Sequence, residues 1–250
     1  MRVAISGKGG AGKSLISATV ARMLARQGKR VLALDTDTMP GMARSLGMEE
    51  STSPPLRDAA ERVEGVGWRL KPGIGPVTAV RRYARTGPDG VLLLQVGKSG
   101  HEGMEGFQSS TLAYWILVRR LLEPKTFRDW ALVADTSAGV RHIAADFAPF
   151  ADTCVVVAEA GWQSVLTARR VVKIARMREA RVLLVANKVR DASDLRLIEE
   201  RVREPVVATI PFDADIKEAE RLGVPLIDHA PHCQGALAIE RLIEIIEAPG

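Results

Sequence analysis

The chain has 250 residues, 46% of them hydrophobic and 26% charged. That is enough apolar sequence to bury a full core as one domain, which excludes a disordered or fibrous protein. A formal net charge of +5 tolerates an anionic partner without requiring one, and two cysteines, Cys154 and Cys233, exclude a disulfide framework.

The first element, Arg2-Val3-Ala4-Ile5-Ser6, reads as a buried strand. It begins at residue 2, so no signal peptide is expected, and no apolar run approaches the ~18 residues of a membrane span. With so few cysteines, a reducing cytoplasm is the expected setting. The strand runs into Gly7-Lys8-Gly9-Gly10-Ala11-Gly12-Lys13-Ser14, after which Leu15 to Gln27 reads as a helix. These residues fit G-x-x-x-x-G-K-[ST], a phosphate-binding loop, in the strand–loop–helix context that the motif needs. Its glycines let backbone N–H groups turn inward, and those donors join the positive helix end in holding a polyphosphate. Lys13 reaches the outer phosphates, the Ser14 hydroxyl ligates Mg²⁺, and Gly7 to Leu15 are the expected nucleotide contacts.

Lys8 narrows this reading, because Lys-Gly-Gly-Ala-Gly-Lys-Ser carries two lysines. The segment resembles the deviant phosphate-loop ATPases, the group of Min- and Par-type positioning proteins, the nitrogenase iron protein, and the arsenite and tail-anchor ATPases. The resemblance implies that Lys8 crosses to a partner subunit's nucleotide in a homodimer bridged by ATP, with Lys8 and Lys13 as catalytic cations.

Val31-Leu32-Ala33-Leu34 reads as a second buried strand, ending in Asp35-Thr36-Asp37. Carboxylates at the C-terminal end of such a strand stand where open α/β sheets bind their ligands. The family's first switch falls here. By resemblance Asp37 positions the attacking water and belongs with the metal-facing residues, while Asp35 supports Mg²⁺ or Lys13. The family's proline after the second aspartate is replaced by Thr38, with Pro40 further on. Residues 64 to 90 read as surface turns with a short element around Val77 to Tyr83. Val91 to Val96 is another strand, followed by a glycine-rich loop from Gly97 to Ser109 and a helix from Leu112 to Leu122. Trp130 to Ala134 is a strand ending in Asp135-Thr136-Ser137-Ala138-Gly139, which matches the family's second switch. Asp135 is thereby expected to hold Mg²⁺ through water, and the Gly139 backbone to sense the γ-phosphate.

Thr153 to Ala158 and Val182 to Ala186 are further strands, joined by a basic helix from Ser164 to about Arg178. Asn187-Lys188 follows, and related ATPases read the base edge with an Asn here, whose amide both donates and accepts. Val206 to Ile210 is the last strand. The resemblance implies that Pro211-Phe212-Asp213 lines an adenine pocket, and Asp213 is expected to cap a helix running to Leu222. Gly235 to Glu247 is an amphipathic helix with an acidic polar face, read as packing on the core rather than on a membrane. Strands buried on both faces alternate with helices, which predicts an α/β, doubly wound, mostly parallel sheet with helices on both faces.

Beyond the loop, Asp135 to His142, Val155 to Glu159, Ser164 to Ala168, Ala186 to Asp191 and Glu218 to Leu226 resemble the CooC-type ATPases, which assist nickel insertion into carbon monoxide dehydrogenase. That resemblance implies a slow Mg²⁺-dependent hydrolysis of ATP to ADP in the service of a client protein. CooC-type proteins carry a Cys-x-Cys in the loop after the Val91–Val96 strand, where this chain has Glu102-Gly103-Met104-Glu105-Gly106. The nickel or zinc site therefore does not carry over, and His101 with Glu102 or Glu105 is the harder donor set on offer. A second function class, a positioning ATPase that binds DNA, rests on Arg169, Arg170, Lys173, Arg176 and Arg178. A third is a nucleotide-gated regulator of a protein partner.

Overall fold

Short apolar runs, buried on both faces, build the central sheet of the computed structural model, which describes residues 1–37, 41–51, 55–97, 103–145 and 147–248. In chain order the elements are β1 (Arg2–Gly7), α1 (Lys13–Arg26), β2 (Val31–Asp35), α2 (Met42–Leu46), β3 (Ala60–Val63), β4 (Gly67–Leu70), α3 (Pro76–Tyr83), β5 (Arg85–Thr86), β6 (Leu92–Gln95) and α4 (Gly103–Arg119). They continue with β7 (Ala131–Asp135), α5 (Arg141–Ala144), β8 (Thr153–Ala158), α6 (Trp162–Met177), β9 (Arg181–Val189), α7 (Ala192–Val202), β10 (Val206–Pro211), α8 (Ala214–Leu222), α9 (Leu226–His229) and α10 (Gln234–Glu247).

Eight strands form one sheet in the order β10-β9-β8-β1-β7-β2-β6-β5. Every pairing in it is parallel except that of the two-residue β5 with β6. Parallel neighbours need crossover connections, and here the helices supply them, covering both faces. Val3, Ile5, Val133, Val155 and Val157 face one way and pack with α1, α2, α8, α9 and α10. Ala4, Leu132, Ala134, Val156 and Ala158 face the other and pack with α3, α4, α5, α6 and α7. The doubly wound, mostly parallel architecture read from the sequence is what the chain adopts. β3 and β4 form a separate antiparallel hairpin that joins the second of these cores.

The structure departs from the sequence reading at two functional places. The glycine-rich stretch expected as a loop through Ser109 is helical from Gly103, so Glu105 lies in the first turn of α4. Ser109 Oγ donates to Arg57 O (2.6 Å) and Ser110 Oγ to Val96 O (2.7 Å), tertiary anchors that outweigh weak local helix preference. Asn187 and Lys188 lie inside β9 rather than after it, because pairing with β10 extends to Val189. Thr38, Pro40, His101 and Glu102 lie outside the described residues. No helix among the described residues is long and apolar enough to cross a membrane.

One ion network fixes α1, the helix that leads out of the glycine loop. Arg22 is 3% exposed. Its Nε meets Asp89 Oδ2 at 2.7 Å, and both Nη atoms bond the Asp228 carboxylate at the end of α9. Arg26 reaches the same two carboxylates (3.1 and 2.9 Å). Hydrogen bonding to Arg22 holds the Asp228 carboxyl below its ordinary range. Removing Arg22 leaves that carboxylate partly buried without its main partner, so Arg22→Met is expected to cost about 2 kcal/mol in denaturant unfolding. A group with a depressed folded pKa stabilises fully above its ordinary value and less as pH falls through its folded one. The wild-type chain should therefore lose this contribution below about pH 4, and the variant's acid limb should be flatter. Identical unfolding midpoints for the two proteins would remove the network from the account.

Candidate functional site

β1 sits between β7 and β8, and it delivers the glycine loop to the C-terminal edge of the sheet. Two glycines there are dictated by close approach. A Cβ on Gly7 would collide with the Val157 carbonyl of the neighbouring strand, and one on Gly12 with Asn187 Nδ2, at a φ of +91° that suits glycine. Gly12 is the N-cap of α1 and supplies no side-chain cap, and the first turn holds no acidic residue. The first N–H groups of α1 are thus left for an anion. Lys13 is buried, and its Nζ donates to Lys8 O (3.2 Å), so the ammonium curls over the loop. The half-buried Lys8 ammonium makes no hydrogen bond or ion pair among the described residues.

Asp35 and Asp135 end adjacent strands and are register partners. Both are fully buried. Asp35 accepts from Asp37 N (3.0 Å) through Oδ1 and from Gln95 Nε2 (3.2 Å) through Oδ2. The Ser14 hydroxyl and the Lys13 charge both favour the ionised form of Asp135 from the start of α1. Burial, above all, pushes both carboxyls up; the Asp135 charge adds to the shift at Asp35, and Ser14 with Lys13 partly offsets it at Asp135. Asp135 Oδ1 is buried and makes no hydrogen bond among the described residues. An unbonded buried carboxylate oxygen beside a serine hydroxyl is a hard donor set, and it fits Mg²⁺. Asp37 is half-buried, and its charge acts on both buried carboxyls. The Gly139 N–H, expected at the γ-phosphate, donates to Gly7 O (3.0 Å), which ties that turn to the loop's own strand.

The remaining expected contacts meet at a cavity of about 230 Å³, lined by Gly12, Leu15, Asn187, Lys188, Pro211, Phe212 and Asp213 together with residues of α8. Asn187 Nδ2 donates to Ala11 O (2.7 Å), which fixes the amide's orientation and leaves Oδ1 as its acceptor. Lys188 commits its ammonium to Gly10 O (2.7 Å) and Glu159 (2.6 Å), so it braces the glycine loop from behind. Arg190 lies 5.1 Å over the Phe212 ring. The sequence reading did not single out Gln95 or Glu159. Each was signalled by a polar residue at the end of an apolar strand run.

Among the described residues, one cluster of three His, Cys, Asp or Glu side chains brings its ligand atoms within 4.8 Å of one another: Asp213, Asp215 and Cys233. Asp213 caps α8 through Asp215 N (2.9 Å) and also accepts from Gly235 N (2.8 Å), while Cys233 Sγ accepts from Ala236 N at the start of α10. These atoms are helix caps. On α6, Arg176 pairs with Glu204 (2.7 Å) and Arg178 donates to Ala144 O (2.9 Å). Arg169, Arg170 and Lys173 are exposed with no partner among the described residues.

A family model, the CobQ/CobB/MinD/ParA nucleotide binding domain, matches residues 3–226. An ATP-binding protein of Methanocaldococcus jannaschii is 30% identical over 241 residues, covering 90% of this chain and 91% of that protein. The carbon monoxide dehydrogenase accessory protein CooC of Rhodospirillum rubrum is 27% identical over 248 residues, covering 94% and 92%. In fold, the chain superposes on the septum site-determining protein MinD of Pyrococcus horikoshii, solved with Mg-ADP, at a TM-score of 0.68, with 20% identity over 98% of this chain and 96% of that one.

The packing of Gly12 against Asn187 couples the phosphate end of the site to the cavity. Gly12→Ala introduces a Cβ into that amide at a strained backbone angle, so it should break the Asn187–Ala11 bond and weaken ADP binding at least about tenfold by calorimetry. Unaltered affinity would mean that the two halves of the site are independent.

Proposed function

The chain belongs to the CobQ/CobB/MinD/ParA nucleotide-binding domain family, and from that premise we propose that it is an Mg²⁺-dependent ATPase, a dimeric switch that acts on a client protein. The observation that carries the reading is the buried Asp35–Asp135 pair, with its unbonded Oδ1, set beside Ser14 and Lys13. Mg²⁺ held by Ser14 and Asp135, with Asp37 near, would neutralise charge on the transferring phosphoryl group. Lys13, and Lys8 from a partner subunit, would add to that stabilisation, and Asp37 would orient the attacking water. Such catalysis is positioning and electrostatics, so turnover is slow until a partner completes the geometry. Asn187 lines a cavity of about 230 Å³, and its Oδ1, left as the amide's acceptor, would suit the exocyclic amine of adenine.

The similarity to CooC over most of both chains supports an accessory role. The chain departs from the CooC-type resemblance in one respect: no cysteine stands at residues 102–106, so a soft-metal cargo carried on that loop is not part of the proposal. A second reading, a positioning ATPase that holds DNA, is favoured by Arg169, Arg170 and Lys173 on α6, which are exposed and have no partner among the described residues.

The dimer reading rests on Lys8. In light scattering, the wild-type chain is expected to double its mass with Mg·ATP and not with ADP. Lys8→Ala should bind ADP within about twofold of wild type yet stay monomeric, while Asp37→Ala should remain dimeric because ATP persists. An ATP-driven dimer of Lys8→Ala would remove Lys8 from the interface.

A further inference from the structure

Thr36 stands between the two carboxylates of the β2 end and is fully buried. Its N–H donates to Asp135 O (3.0 Å). Its Oγ1 accepts the Ser137 N–H (3.0 Å) and lies 2.8 Å from His142 Nδ1, 106 residues away in sequence. A hydroxyl offers one proton and two lone pairs. With the Ser137 N–H on one lone pair, Thr36 Oγ1 and Nδ1 of a neutral imidazole share one proton, donated by one atom and accepted by the other. Burial, the largest influence on His142, holds its pKa below the ordinary value and so keeps the ring neutral. The ring is also held in orientation. It stacks on Phe147 at 4.2 Å between centroids and 10° between planes, and Phe147 in turn stacks on Tyr114 of α4 at 6.4 Å and 20°. Trp115 Nε1, also on α4, donates to Ala145 O just beyond α5 (2.9 Å). Neither Thr36 nor His142 touches the glycine loop through any of these bonds.

We propose that His142 is a positioning residue: through Thr36 Oγ1 it clasps the Asp35–Asp37 turn to the Ser137–Gly139 turn, so that the two segments on either side of the expected γ-phosphate hold one geometry. The effect on turnover rests on the ATPase reading above; the clasp itself does not. Because Thr36 is covalently flanked by Asp35 and Asp37, a slack hydroxyl lets both carboxylates drift. The stack on Phe147 and Tyr114 makes α4 the element on which the clasp is anchored.

The test has two arms, run on the full chain. The first is hydrogen exchange of the backbone amides of Asp37 and Ser137, with and without Mg·ADP, and it needs no hydrolysis. His142→Ala should accelerate both amides together, at least about tenfold. His142→Asn, whose Oδ1 can take the place of Nδ1, should restore most of the protection, and Thr36→Val should imitate His142→Ala. The second arm is steady-state ATP hydrolysis. His142→Ala should lower kcat at least about tenfold with KM and the ADP affinity within about twofold, because misplacement of the reacting groups spares binding. Combined with Thr36→Val it should cost no more than either change alone. Unchanged exchange in His142→Ala, exchange in His142→Asn as fast as in His142→Ala, or additive losses in the double variant would each overturn the clasp. A wild-type chain that hydrolyses no ATP would overturn the ATPase reading instead, and the exchange arm would still decide the clasp.

Discussion

Two carboxylates buried at the ends of neighbouring strands repel one another unless a cation stands close by. Asp35 and Asp135 are in that position because β7 inserts between β1 and β2, an order that brings the ends of three strands together. The remaining features of the site follow from it. Lys13 and Ser14 come from the helix that leaves β1, and they set a positive charge and a hydroxyl that both favour the ionised form of Asp135. Gln95 and the Asp37 N–H occupy both oxygens of Asp35, whereas one oxygen of Asp135 has no partner among the described residues. An environment that raises both carboxyls toward neutrality is one in which a divalent ion gains the most, since it replaces mutual repulsion with two attractions.

The strands and the glycine loop were legible because their signals are local. A run such as Thr153 to Ala158 is apolar throughout, as a strand covered on both faces must be, and the loop is a fixed spacing with a direct steric reason. Aspartates at strand ends were legible by the same logic. What was hidden depends on contacts distant in sequence. The first half of α4 reads as loop from its glycines and serines, and only its anchors to Arg57 and Val96 make it helix. The four-residue strands β3 and β4 are too short for alternation to stand out, and they become a hairpin by packing on α4. The commitment of Asn187 to Ala11 joins residues 176 apart, and that of Thr36 to His142 joins residues 106 apart. No spacing rule reaches so far.

The likeness to CooC covers 94% of this chain, and residues 102–106, where the CooC-type resemblance would place a Cys-x-Cys, hold no cysteine. The helix that starts there carries Tyr114, whose hydroxyl is buried without a partner among the described residues and whose pKa is raised by burial and by the charges of Asp35 and Asp135. α4 thus carries a tyrosine that senses the charges of the carboxylate pair, and it begins at Gly103 within residues 102–106. The glycine loop, the buried carboxylates and the cavity beside Asn187 all stand on elements other than α4.

The most direct measurement is a calorimetric titration of ADP with Mg²⁺ and with a chelator, on the wild-type chain and on Asp135→Asn. Tighter binding with Mg²⁺ in the wild type, with the Mg²⁺ dependence lost in the variant, is the result this account requires. ADP affinity indifferent to Mg²⁺, or equally Mg²⁺-dependent in both proteins, would contradict the assignment of the buried pair as the cation's seat.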